Sequence, residues 1–148
     1  MLDALGDQAD CFVVVALSAR GEELPDDFNV PDNACVIDFI PYDAVLEHAD
    51  IFGTNGGYSG LGHAVMNGVP LVVGGETEDK LEISMRAQYA GIAYNLRTAT
   101  PSVELVKTAV LSVLDNSTYK NRALELQEEN QKMDCMSKIF DIIDEMSK

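Results

Sequence analysis

FGTNGGYSGLGHAVMNGVPLVVGG, Phe52 to Gly75, sets two strand-like ends around a glycine-rich turn and an amphipathic run. Glycines stand at Gly53, Gly56, Gly57, Gly60 and Gly62, and Gly68-Val69-Pro70 leads into the second apolar run. A chain that leaves a strand and enters a helix at once needs unusual dihedral angles, which glycine adopts without steric cost. Missing side chains also let a ligand reach the main chain. The helix beginning near Gly57 opens with unpaired N–H groups and a partial positive charge. Such a start binds a phosphate without needing a lysine. The loop alone is equally compatible with a structural turn, because it has neither the GxGxxG spacing nor the GK[ST] of a P-loop.

Composition makes the loop matter more. The chain has 148 residues, 47% of them apolar, enough for one packed domain. Its formal charge of −15 disfavours nucleic acid and anionic membranes as partners. A phosphate site must therefore be local, built from backbone dipoles. No apolar run reaches the roughly 18 residues of a membrane span. The acidic start MLDALGDQAD lacks the basic and apolar regions of a signal peptide, so a cytoplasmic location is expected. Cys11, Cys35 and Cys135 are widely spaced and form no CxxC pair, which argues against disulfides and zinc. No metal-ligand cluster is visible, and no cofactor is expected.

Strand-like and helix-like segments alternate. A short helix is expected over Leu2–Ala9. Cys11–Leu17 (CFVVVAL) is predicted to be a strand buried on both faces. Residues 18–33 read as loop and Ala34–Ile40 as a second strand. Pro41–His48 follows as a short helix, Asp50–Thr54 as a strand, Gly57–Asn67 as a helix stopped by Gly68, and Pro70–Val73 as a strand. Glu76–Ala90 is predicted as a helix with Glu76, Glu78 and Asp79 at its positive end. Ile92–Asn95 completes the strands. Pro101–Leu114 is read as a helix capped by Thr100, and residues 116–148 as a helical tail with one break. This alternation predicts a doubly wound parallel α/β domain, with residues 1–115 as its core and 116–148 as C-terminal helices. In such folds ligands bind at the carboxyl ends of strands, where Thr54–Gly60 lies.

Over Asp38–Gly91 the chain resembles the donor-binding signature of the UDP-glycosyltransferase superfamily. DFIPYDAVLEHADIF is similar to that family's aromatic-x-Pro-Gln segment followed by Val-Leu-x-His. TNGGYSGLGHAVMNGVPLVV is similar to its Thr-His-Gly-Gly helix start ending in Gly-Val-Pro, and ETEDK to its Asp-Gln step. Asn55 with His63 and Glu78-Asp79-Lys80 resembles a variant set in fungal and bacterial members. The resemblance implies a Rossmann-like domain, the C-terminal half of a two-domain GT-B glycosyltransferase, here without that half's first strand. It implies a UDP-sugar donor and inverting transfer to a hydroxyl of a small-molecule or lipid acceptor. The acceptor domain and the catalytic base are expected elsewhere, so no catalytic residue is assigned within this chain and no turnover is expected from it alone. The alternative is a non-catalytic nucleotide-sugar-binding or interaction module.

The implied roles follow residue by residue. Phe39 takes the place of a tryptophan that stacks on uracil, and Ile40 offers its backbone to the base edge. Asn55 replaces a histidine that contacts the diphosphate. Gly57, Tyr58, Ser59 and Gly60 form the helix start around the phosphates. His63 replaces a ribose-binding glutamate. Asp79 holds sugar hydroxyls, flanked by Glu78 and by Lys80, which replaces a glutamine, as Tyr42 does elsewhere. Taken without the resemblance, His63 is equally an ordinary helix histidine, Glu78 and Asp79 serve the helix dipole, and Tyr58 packs on the sheet. The stripe Met133, Met136, Phe140, Ile143 and Met146 reads as core or interdomain packing.

Overall fold

A computed structural model describes residues 1–17 and 19–147. Ser18 and Lys148, at the ends of the expected loop and tail, lie outside the described residues. The elements run α1 (Leu2–Leu5), β1 (Val13–Ala16), β2 (Ala34–Ile37), α2 (Tyr42–Leu46), β3 (Phe52–Thr54), α3 (Tyr58–Asn67), β4 (Leu71–Val73), α4 (Lys80–Tyr89), β5 (Ala93–Asn95), α5 (Val103–Asp115), α6 (Ser117–Gln131) and α7 (Cys135–Met146). Every strand pairing is parallel, as alternation with helices requires.

The strand of β4 shows how the layers form. Leu71, Val72 and Val73 are all buried, and the pleat sends them to opposite faces. Val72 joins Leu2, Leu5, Val13, Val106, Val110 and Val113, so α1 and α5 cover one face. Leu71 and Val73 join Ala64, Ala87, Ile92, Ala93 and Ala123, so α3, α4 and α6 cover the other. Fully burying a side chain such as Leu71 stabilises the fold by about 1.5–3 kcal/mol. α3 ends where Gly68 takes the left-handed conformation, φ 63° and ψ 35°, and returns its N–H to Ala64 and Val65.

The strands form two hydrogen-bonded sets, β1–β2 and β3–β4–β5, that share one apolar core. β1 and β3 each leave an edge with no strand beside it among the described residues. The Met1 side chain lies there, close enough that a Cβ on Gly53 would meet its terminal methyl at 2.8 Å. The expectation that Cys11–Leu17 is buried on both faces is corrected. Val13 is buried, but Phe12 and Val14 are exposed, because α3, α4 and α6 cover β3–β5 and leave that face of β1 open.

Several boundaries also move. β2 stops at Ile37 because the Asp38 carboxylate takes the N–H groups of Gly21 and Phe39. α4 starts at Lys80 rather than Glu76, because Glu78 adopts a left-handed φ of 58° that no helix contains. Glu82 is then the acid in its first turn. Ser102 caps α5 in place of Thr100, its hydroxyl accepting from Leu105 N–H at 3.2 Å. The tail breaks between α6 and α7 at residues 132–134. Its apolar stripe is not core: Met133, Met136, Phe140, Ile143 and Met146 are all exposed, and α7 buries none of its residues.

Bonding residues alternate along a parallel strand. Val13 and Leu17 donate to the β2 side, and Phe52 bonds towards β4. The amides of Val14, Ala16 and Gly53 therefore face the open edges. In native-state hydrogen exchange these three amides should exchange well before those of Val13, Val15 and Val72. Equal protection would show that the two edges are covered.

Candidate functional site

The strand β3 delivers the chain to α3 through Asn55, Gly56 and Gly57. Gly56 has φ +82°, and a Cβ there would lie 2.3 Å from Ser84 Oγ, so only glycine fits between β3 and α4. The Asn55 side chain turns back and accepts a long bond, 3.3 Å, from Gly57 N–H. Gly57 itself is extended, φ −68° and ψ 152°. A Cβ there would meet nothing nearer than Asn55 Oδ1 at 3.5 Å, so the space above Gly57 is open.

Among the described residues no side chain caps α3. Its first helical bond is Leu61 N–H to Gly57 O, at 3.2 Å. The N–H groups of Tyr58, Ser59 and Gly60 have no partner among the described residues. Tyr58 and Ser59 are exposed, and Gly60 packs against Thr54 and Phe52. The buried side of the helix start is thus anchored to β3 while the outer side points to solvent. Tyr58, 72% exposed, does not pack on the sheet.

A second loop leans on the first. A Cβ on Gly75 would lie 2.1 Å from Asn55 O, so the turn after β4 touches the turn after β3. Substituting Gly75 forces one of them to move. That contact carries Glu78, Asp79 and Lys80 to the same end of the sheet. Lys80 is largely buried and pairs with Glu78 while donating to Thr77 Oγ1 at 3.2 Å. The ammonium holds the Glu78 carboxyl below its usual range. Asp79 stands exposed at the N-cap of α4, and its carboxylate caps no amide.

The third part comes from the β2–α2 turn. Phe39 is half exposed, and the Arg20 guanidinium lies 4.5 Å from its ring centre. One ring face is therefore covered by a cation, an interaction of about 0.5–1 kcal/mol at an exposed site. Asp38 ties the turn to the Arg20 loop, accepting from Gly21 N–H at 2.9 Å and Phe39 N–H at 2.8 Å. Those two bonds, the one from Gly21 first, hold its carboxyl below the ordinary value of 3.8. The N–H and C=O of Ile40 bond to nothing among the described residues. Beyond Ile40, Asp43 meets His63 across α2 and α3, with Nδ1 and Oδ1 2.8 Å apart. The Tyr42 ring lies 5.2 Å from the imidazole, edge-on.

Asn55, Gly57, Tyr58, Ser59, Gly60, Glu78, Asp79 and Lys80 thus gather around two touching turns. Phe39, Ile40 and His63 stand along the flank formed by the β2–α2 turn and α3. Arg20, Asp38 and Asp43 belong to this surface and were not foreseen. The ties of Asp38 to Gly21, Arg20 to Phe39 and Asp43 to His63 span 17 to 20 residues of sequence, so periodicity gives no sign of them. A cavity of about 670 Å³ lined by Gln88, Tyr94, Asn95, Arg97 and Tyr119 lies beside β5, and it includes none of the predicted site residues.

The profile of the erythromycin biosynthesis protein CIII-like C-terminal domain matches residues 1–146. The chain belongs to this family. It is 43% identical to UDP-glucosyltransferase 1 of Beauveria bassiana over 138 residues, 93% of this chain and 30% of that protein. It is 40% identical to UDP-glucosyltransferase A1 of Starmerella bombicola over 146 residues, 99% of this chain and 32% of that one. The solved glycotransferase of kitacinnamycin superposes with a TM-score of 0.78 at 26% identity, covering 86% of this chain and 33% of its own. The glycosyltransferase VinC, solved with dTDP, shares the fold with a TM-score of 0.76 at 22% identity, over 89% of this chain and 33% of its own. This family member therefore has the fold of the C-terminal half of a GT-B glycosyltransferase, and spans about a third of the length of the relatives it matches.

Because native bonds depress the Asp38 pKa, their contribution is present above 3.8 and lost as pH falls through the lower, folded value. Acid titration followed by NMR should move the Gly21 and Phe39 amide protons together, with a midpoint below 3.8. A midpoint at or above that value would show that the two bonds are not populated in solution.

Proposed function

We propose that the surface around Asn55–Gly60 binds the diphosphate of a UDP-sugar and serves inverting glycosyl transfer to a hydroxyl. The observation that carries this reading is the uncapped start of α3, with the N–H groups of Tyr58, Ser59 and Gly60 unpaired at the carboxyl end of β3. It is supported by the names of the related UDP-glucosyltransferases. Three amides and a helix dipole supply positive potential without formal charge, which suits a chain of net charge −15.

In the reaction, an acceptor oxygen attacks the anomeric carbon and the bond from that carbon to the diphosphate breaks. The acceptor's proton passes to a base, which this reading places outside residues 1–148, on an acceptor-binding part. The leaving diphosphate gains negative charge as the bond stretches. Donors already aimed at it stabilise the transition state more than the bound sugar nucleotide, and that difference is what accelerates the step. Phe39 and Ile40 are assigned to the uracil ring, His63 to the ribose, Asn55 to the phosphates beside the amides, and Asp79 to the sugar hydroxyls, with Glu78 and Lys80 fixing its turn. The acceptor is a small molecule or a lipid. No metal or cofactor enters the scheme, and the cytoplasm is the proposed compartment.

Isothermal titration of the 148-residue chain with UDP and UDP-glucose should show binding of both. Gly57→Val should weaken each by more than about tenfold, a loss above about 1.4 kcal/mol, because the new side chain fills the open space in front of the amides. The native φ of −68° suits valine, so the variant should remain folded. A folded variant of unchanged affinity would refute the phosphate cradle. Transfer activity on adding an acceptor-binding half would separate an enzyme from a module that only binds.

A further inference from the structure

The ribose of a nucleoside diphosphate lies, by its covalent structure, between base and phosphates. Asp43 in α2, four residues beyond Phe39, and His63 in α3, four residues beyond Ser59, meet in a polar cluster that joins the two segments. Asp43 Oδ1 lies 2.8 Å from His63 Nδ1 and accepts from Asn67 Nδ2 at 3.1 Å. Asn67 also donates to the His63 carbonyl at 2.8 Å, so it ties the carboxylate to the helix that bears the imidazole. The Tyr42 ring stands edge-on to the imidazole and also packs on Phe52, which fixes the ring plane from a second side. The His63 side chain is only 30% exposed.

A carboxylate accepts hydrogen bonds and, when ionised, donates none, so Nδ1 is the nitrogen that carries the proton. The hydrogen bonds from His63 and Asn67 keep the Asp43 carboxyl below its ordinary range, so it stays ionised. The other ring nitrogen, Nε2, has no partner among the described residues. It is left as the acceptor in the neutral imidazole. A bare surface pair leaves both side chains free to rotate and contributes little. Here Asn67 and Tyr42 constrain both members.

We propose that Asp43 is a positioning residue that holds His63 as its Nδ1–H tautomer, so that Nε2 accepts from one ribose hydroxyl and the site prefers ribonucleoside to deoxyribonucleoside diphosphates. The inference rests on the donor-binding reading above, and assigns to Asp43, through His63, the discrimination of the nucleotide sugar ring.

The test has two readouts on the 148-residue chain. Long-range ¹⁵N–¹H NMR of His63 should show a protonated Nδ1 and a bare Nε2 in the wild type and in Asp43→Asn, whose amide oxygen still accepts. Asp43→Ala should lose that signature. Titration with UDP, 2′-deoxy-UDP and 3′-deoxy-UDP should find one deoxy analogue about three- to tenfold weaker than UDP, the worth of one hydrogen bond. Asp43→Ala should bring UDP and that analogue within about twofold, and Asp43→Asn should retain most of the preference. His63→Phe keeps the packing against Tyr42 while deleting both nitrogens, and should abolish the preference in a folded protein even if Asp43→Ala does not fold. UDP binding with no discrimination, or discrimination that survives His63→Phe, overturns this inference and leaves the donor site standing. Absence of UDP binding overturns both.

Discussion

Three backbone N–H groups without acceptors among the described residues, at Tyr58, Ser59 and Gly60, are the constraint around which the rest of the site is arranged. A helix start is normally satisfied by a capping side chain or by water. Gly57 occupies the N-cap of α3 and has no side chain to offer. Asn55, two residues earlier, spends its carbonyl oxygen on Gly57 N–H and reaches no further into the helix. The approach to these amides is tightly packed. A side chain at Gly56 would meet Ser84, one at Gly75 would meet Asn55 and one at Gly60 would meet Thr54, so the two turns and the helix start pack closely on one another.

The same packing bears on how an acidic chain could hold the proposed anion site. Three acids near the loop have partners that limit their field, whereas Asp79, on the second turn, is exposed and caps no amide. Glu78 is paired with Lys80, Asp43 with His63 and Asn67, and Asp38 with two backbone N–H groups. Arg20 adds a cation over Phe39. At physiological salt, charges beyond roughly 8 Å are largely screened, so local dipoles decide what the loop attracts.

Much of the fold was legible in the sequence because the deciding signals are local. Gly68 at the αL position, the apolar runs of β1 and β4, and the glycine-rich strand-to-helix turn each follow from residue chemistry at that point. That Asn55–Gly60 and Glu78–Lys80 stand where strands pass into helices was legible for the same reason. What escaped depends on tertiary placement. Val14 and Phe12 look like core, yet both are exposed, with no helix over their face among the described residues. Ser102 displaced Thr100 as a cap because its hydroxyl, three residues before Leu105, reaches that amide, whereas Thr98 takes the N–H of Thr100. The Asp38 tie to Gly21 and the Asp43 tie to His63 join segments whose separation carries no period. The methionine-rich stripe of α7 follows helical spacing faithfully, but spacing reports a face and not what lies against it.

Amide chemical shifts during UDP addition test the central claim most directly. In ¹⁵N-resolved spectra of the chain, the account predicts that Tyr58, Ser59 and Gly60 move furthest, with Asn55 and His63 following. Saturable binding that leaves those three amides in place, and instead shifts Tyr94, Arg97 and Tyr119 around the separate cavity beside β5, would contradict it.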